Sequence, residues 1–178
     1  MNKHRCFLAL LPQPQLHRQL FDCSVQLQSS YAHLDVRWTR AEQFHLTLNF
    51  LGNLSNEQIE KLDRRLSSHK AEKNAAIRAQ INRVSLFPNP DNPRVIAALI
   101  DSNEELQNLR VRCHLPEQKP VGEFRPHITL ARCRNARRLP DFNPYPVNFE
   151  LQARELHLIE SELTQRGPVY SVIGSYPV

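Results

Sequence analysis

The chain has 178 residues, 40% hydrophobic and 23% charged, which suits one globular domain or one compact pair of lobes with a core of its own. Its net charge of +5 and pI of about 9.3 permit an anionic partner without requiring one. No apolar run approaches the roughly 20 residues of a membrane-spanning helix, and the short apolar stretch after the basic start Met1 to His4 is stopped by Pro12, so it reads as a strand and not a leader. A cytoplasmic protein without a membrane partner is the expectation.

Residues Arg5 to Leu11 read as a first strand. Leu16, Leu20, Cys23 and Leu27 then recur at helical spacing, and Pro14 suits the first turn of that helix. His45 to Leu51 reads as a strand ending at Gly52. Ser55-x-x-Gln58 is a capping-box pattern ahead of the stripe Ile59, Leu62 and Leu66. Alternation at Ile77, Ala79 and Ile81 and the β-type run Val95 to Ile100 flank a Pro-rich turn, Pro88 to Pro93, which predicts a hairpin. Ser102-x-x-Glu105 is a second capping-box pattern, followed by Leu106, Leu109 and Cys113. His127 to Ala131 is the next strand. After a Pro-rich loop, Leu139 to Pro146, strands follow at Val147 to Leu151, Leu156 to Glu160 and Tyr170 to Ile173, and Gly174 to Val178 has no clear place. The order predicts an α+β fold of two related halves, each a small sheet backed by a helix, within a single domain over 1–178.

The informative feature is a repeat: His45-Leu46-Thr47-Leu48 and His127-Ile128-Thr129-Leu130. Side chains alternate along a strand, so each His and Thr share one face. Leu46, Leu48 and Phe50 are expected on the other face, as are Ile128 and Leu130. One His-x-Thr would be an ordinary polar strand surface. Only four threonines occur in the chain, however, and two stand two places after a histidine, so the pairing is taken as functional.

Two histidines without matching carboxylates or thiolates make a thin metal site. No G-x-S-x-G nucleophile elbow is present, nor a P-loop or dinucleotide-binding glycine pattern. No metal and no cofactor are therefore expected. Phosphodiester transfer fits the residues better. A neutral imidazole can take a proton from the attacking oxygen while an imidazolium gives one to the leaving oxygen, and both forms exist near neutrality. Two threonine hydroxyls can donate to the phosphate oxygens. The four cysteines, Cys6, Cys23, Cys113 and Cys133, form no CxxC pair and read as small buried hydrophobes in a reducing compartment.

These residues resemble the two-histidine phosphoesterase superfamily, and within it the bacterial and archaeal RNA 2′,3′-cyclic phosphodiesterases, also called 2′-5′ RNA ligases. The similarity runs through Arg5 to Leu10, Phe44 to Gly52, the hairpin Phe87 to Leu99, Pro126 to Arg132, and Glu160, Ser161, Leu163, Gly167 and Tyr170. It implies a bilobal fold with a cleft between two small antiparallel sheets. It also implies metal-independent hydrolysis of RNA 2′,3′-cyclic phosphate ends to 2′-phosphates, with reversible 2′-5′ joining of tRNA halves as a secondary activity. The implied partners are RNA with such ends, tRNA fragments among them, or nucleotides, met by a monomer. In the implied roles His45 protonates the departing 3′-oxygen, His127 activates water, and Thr47, Thr129 and Arg132 bind the substrate. Spacing alone does not order the two histidines. A nucleotide- or RNA-binding module that lost turnover, and an enzyme for another cyclic or 2′-5′ phosphodiester, are the rival readings.

Arg125, Arg132, Arg134, Arg137 and Arg138 cluster about the second motif; Arg132 closes the motif strand and is expected at the phosphate. Trp38 is read as core before base-stacking platform, and Phe7 as core. His157 is expected at a strand surface. His4, His17, His33, His69 and His114 are expected as surface groups without partners, and Asn49 lies where substrate preference could vary.

Overall fold

The computed structural model describes residues 3–68, 76–115, 123–134, 139, 141–165 and 167–178. Among these, nine strands and three helices alternate: β1 His4–Leu10, α1 Pro14–Ser30, β2 Val36–Trp38, a 3-10 turn Ala41–Gln43, β3 Leu46–Leu54, α2 Asn56–Ser67, β4 Ile77–Phe87, β5 Val95–Ile100, α3 Glu104–Cys113, β6 His127–Cys133, β7 Tyr145–Ala153, β8 Glu155–Thr164 and β9 Gly167–Pro177. The fold is mixed α+β, as the sequence predicts. The strands are hydrogen bonded in the order β7-β4-β5-β6-β3-β1-β8-β9, with β2 added to β6, and every pairing is antiparallel.

The two halves expected as separate sheets are thus joined in one. The joint is narrow: β3 meets β6 only at Leu46↔Ile128. On one side lie β6, β5, β4 and β7, and on the other β3, β1, β8 and β9. The helices do not stay with their own half. The Gln13 side chain ahead of α1 accepts from Gln152 N at 3.0 Å and donates to Glu150 O at 2.8 Å, tying the helix to β7 across the molecule.

Strand β1 shows how the faces divide. Cys6, Leu8 and Leu10 join the main core with Leu16, Leu20 and Leu27 of α1, Leu62 and Leu66 of α2, and Leu106 and Leu109 of α3. Phe7 and Ala9 point the other way and form a small second cluster with Ile159, flanked by Leu11 and Tyr170. The helices therefore cover one face of the sheet, and the site lies on the other. Burial of these aliphatic stripes supplies the main driving force for the architecture.

Local signals held where the chemistry is local. Ser55 Oγ accepts from Gln58 N at 3.3 Å and Ser55 N donates to Gln58 Oε1 at 2.9 Å, a complete capping box. The second box did not form. Asn103, not Ser102, caps α3, its Oδ1 accepting from Leu106 N at 2.9 Å. Asn103 wins because its amide also donates to Arg78 O at 2.5 Å, anchoring the cap to β4, which a serine is too short to do. Strand β2 and the 3-10 turn carried no signal strong enough to be expected.

In β3, two expectations are corrected. His45 stands just before the strand, and Gly52 lies inside it at φ 74°, beside a bulge. A second bulge between Leu8↔Asn49 and Ala9↔Thr47 makes Leu48 the extra residue, which resets the alternation. Phe50, expected on the buried face, is consequently 68% exposed on the open face beside Phe7, and Leu51 is buried in its stead. Asn49 turns inward and donates to Cys113 O at 2.8 Å, so it braces α3. Strand β6 repeats the device: the shift between Ile96↔Ala131 and Ala97↔Thr129 makes Leu130 the bulged residue. Gly174 to Pro177 completes β9, where Tyr176 donates to Asp63 Oδ1 at 2.8 Å.

Candidate active site

Antiparallel pairing about Leu46↔Ile128 sets the geometry of the motifs. Counting outward, His45 comes opposite Thr129, and Thr47 opposite His127. Each histidine is therefore partnered by the threonine of the other motif. Leu46, Leu48, Ile128 and Leu130 are all buried, while His45, Thr47, His127 and Thr129 are each partly buried on the open face.

Both imidazoles are held in the same way. His45 Nδ1 donates to Gln43 O at 2.7 Å, and His127 Nδ1 donates to Arg125 O at 2.9 Å. In each case the acceptor carbonyl lies two residues before the ring. A bond from Nδ1–H fixes the tautomer of the neutral ring and leaves Nε2 as the working nitrogen. Among the described residues neither Nε2 has a hydrogen-bond partner.

Aromatic walls fix the ring planes. Phe7 lies 4.9 Å and Tyr170 5.4 Å from the His45 ring, centroid to centroid, the latter edge-on. Phe87 stacks on His127 at 4.1 Å, and the Arg125 guanidinium lies over Phe87 at 4.7 Å. Burial is the largest cause of a lowered pKa at both histidines, the bond to the backbone carbonyl opposes it, and the charge of Arg132 lowers both further. His127 itself is among the charges that lower His45, as close neighbours would.

A cleft runs from His45 and Thr129 to Arg132, Trp38 and Arg37, with Pro168 and Tyr170 closing it from β9. His127 and Thr47 are not in its walls; the strand pairing puts them beside it. Gln43 Nε2 donates to Pro168 O at 2.5 Å, so the residue that orients His45 also holds the start of β9 over the cleft. The structure thus brings together every residue singled out for the site: His45, His127, Thr47, Thr129 and Arg132.

Other expectations fare variously. Phe7 is buried, yet it is also a wall of the His45 site. Trp38 packs partly against the core and lines the cleft as well. Arg134 faces Asp35 at 3.7 Å, while Arg137, Arg138 and His69 lie outside the described residues. His157 is at a strand surface, 2.9 Å from Ser175 Oγ. His4 does have a partner, Glu160 at 2.7 Å, which raises its pKa. His17 meets Ala41 O at 3.1 Å, and His33 lies 3.8 Å from Asp141. All four cysteines are free, three of them buried. Among the described residues no group of three His, Cys, Asp or Glu side chains is placed to hold a metal ion, and no helix is long and apolar enough to cross a membrane.

Sequence reasoning missed Gln43, Phe87, Pro168 and Arg37. A signal for the first existed in the equal offset of Gln43 and Arg125 before their histidines, but a backbone carbonyl leaves no trace in residue type.

Two imidazoles of fixed tautomer, flanked by two hydroxyls and a guanidinium on adjoining strands, define a two-histidine phosphoesterase. The comparisons with known proteins agree. Residues 10–97 match the LigT-like phosphoesterase family. A protein of Thermus thermophilus named RNA 2′,3′-cyclic phosphodiesterase is 33% identical over 148 residues, 75% of this chain and 71% of the relative. One of Aeropyrum pernix with the same name is 29% identical over 163 residues, 83% and 90% of the two chains. The crystal structure of TT0787 of Thermus thermophilus superposes with a TM-score of 0.77 at 26% identity, covering 97% of each chain. The chain belongs to the LigT-like phosphoesterase family, that of the RNA 2′,3′-cyclic phosphodiesterases.

Proposed function

We propose that this protein hydrolyses 2′,3′-cyclic phosphate ends of RNA to 2′-phosphates, using His45 and His127 as its acid–base pair and no metal ion. The observation that carries this reading is the antiparallel joint at Leu46↔Ile128, which sets the two His-x-Thr motifs side by side with both Nδ1 atoms committed to backbone carbonyls. One Nε2 can then accept a proton while the other donates one. In the reaction, His127 Nε2 takes a proton from water as its oxygen bonds to phosphorus. The bond from phosphorus to the 3′-oxygen breaks, and His45 Nε2 protonates that oxygen, leaving the phosphate on the 2′-oxygen. Thr47, Thr129 and Arg132 stabilise the charge that gathers on the non-bridging oxygens. The order of the two histidines follows the family resemblance. A 5′-hydroxyl replacing water in the same step would give a 2′-5′ linkage, a secondary activity that could join tRNA halves.

The names of the relatives support an RNA substrate. We further read the protein as a monomer of the cytoplasm, in keeping with its free cysteines. The test is direct. Purified protein in EDTA is given an oligonucleotide with a 2′,3′-cyclic end, and the product is identified by phosphorus NMR. A 2′-phosphate formed at an undiminished rate supports the reading; strict dependence on an added divalent ion defeats it.

A further inference from the structure

The reacting phosphate does not account for all the positive charge in the cleft. Strand β2 pairs with β6 so that Arg37 stands directly opposite Arg132. Both side chains are exposed and both line the cleft. Like charges directly opposite on paired strands repel and destabilise the pair. Nothing in the cleft offsets them, because its walls contain no carboxylate. Asp35, two residues from Arg37, faces Arg134 at 3.7 Å, and among the described residues neither Arg37 nor Arg132 has an ion-pair partner. An anion is the natural counterpart of each guanidinium.

The two arginines have different neighbours. Arg132 belongs to the histidine pair, since it is the first of the cations that lower both imidazoles. Arg37 lies one strand further out. Its guanidinium rests against the start of β9, where a Cβ built on Gly167 would come 3.7 Å from Nη1. Gln43 ties that same turn down through Pro168 O. Arg37 is therefore held at the cleft wall, away from the reacting centre, with Trp38 next to it along the strand.

We propose that Arg37 is a specificity-determining residue. It binds the phosphodiester on the 5′ side of the terminal nucleotide, so that the cleft selects an RNA strand with a cyclic end over a free 2′,3′-cyclic mononucleotide. This rests on the phosphodiesterase reading above. A mononucleotide offers one phosphate, which Arg132 and the histidines take. A strand offers a second, one nucleotide away, for the outer guanidinium.

The experiment compares kcat/KM for 2′,3′-cyclic AMP and for a short oligonucleotide ending in the same cyclic nucleotide, in wild type, Arg37→Ala and Arg37→Lys. Wild type should prefer the oligonucleotide. Arg37→Ala should reduce that preference, the ratio of the two kcat/KM values, by about tenfold or more, as loss of a charge-assisted hydrogen bond would. Arg37→Lys should restore part of it, because it keeps the charge but not the fork. The salt dependence of KM for the oligonucleotide should fall in slope by about 0.7 in Arg37→Ala, for one phosphate released. Melting temperatures confirm that the exposed substitutions leave the fold intact. A wild type with no preference, or a ratio unchanged by Arg37→Ala, overturns the proposal and leaves the phosphodiesterase reading standing. Wild type inactive on both substrates would remove that reading and this proposal together.

Discussion

Phe7→Ala separates the desolvation of His45 from the stability of the fold. Phe7 is 4% exposed, its ring 4.9 Å from His45 and 5.2 Å from Tyr170. An aromatic side chain buries about 150–250 Å², worth about 4–6 kcal/mol at 25 cal/mol/Å² as an upper bound, and Phe→Ala in cores costs about 3–5 kcal/mol. Phe7 belongs to a small cluster with Ala9 and Ile159, which can close partly around the gap. A loss of about 3 kcal/mol is therefore expected, within the roughly 5–15 kcal/mol of a typical domain, so the variant should remain folded. The same deletion admits water to the His45 ring. Burial disfavours the imidazolium and is the largest cause of the lowered pKa, so the value should rise towards the ordinary 6.5. Arg132 and His127 remain in place and should hold it below that value. Urea denaturation measures the first effect. NMR titration of the His45 ring measures the second, and the limb of the kcat/KM profile that belongs to His45 should move to higher pH with it. A His45 that titrates unchanged, or lower, in Phe7→Ala would refute the assignment of the shift to burial.

Thr47→Ala and Thr129→Ala should each slow turnover roughly 10- to 100-fold, less than a deleted oxyanion donor usually costs, because the other donors still hold the phosphate; equal melting temperatures and single-turnover rates would check this. Asn103→Ala should cost about 1–2 kcal/mol by loss of the cap and of the bond to Arg78 O, whereas Ser102→Ala should cost about 0.5 kcal/mol or less, as denaturant midpoints would show. Stability should depend on pH through the histidine pair. Both folded values lie below 6.5, so the unfolded chain binds more protons in the window between, and stability is lost as pH falls through it. His4, raised by Glu160, acts in the opposite sense. Denaturation of wild type and of the His45→Ala, His127→Ala double variant on either side of 6.5 should show the dependence weakened in the variant.

The site was more legible in the sequence than the topology that builds it. His-x-Thr twice over, each with aliphatic residues between, fixes both chemistry and strand face, because alternation is a property of the extended chain alone. Phe50 was misplaced because a bulge resets that alternation, and a bulge at Leu48 depends on pairing with β1 that residue order does not reveal. Ser102 was favoured over Asn103 for a similar reason: the deciding bond reaches Arg78, on another strand. Gln43 acts on His45 through its carbonyl, and any residue has a carbonyl. Arg37 gained its meaning only when the short strand β2 was laid against β6. Trp38, beside it, could be read as core from its type, and it is partly that.

The central claim is that the two imidazoles work as one proton-transfer pair. It is tested most directly by the turnover of wild type, His45→Ala, His127→Ala and the double variant on an RNA with a 2′,3′-cyclic end. Each single variant should lose at least about 10²–10⁴-fold, the typical worth of general acid–base catalysis, and the double variant should lose less than the product of the two. A His127→Ala protein that turns over near the wild-type rate would contradict the account.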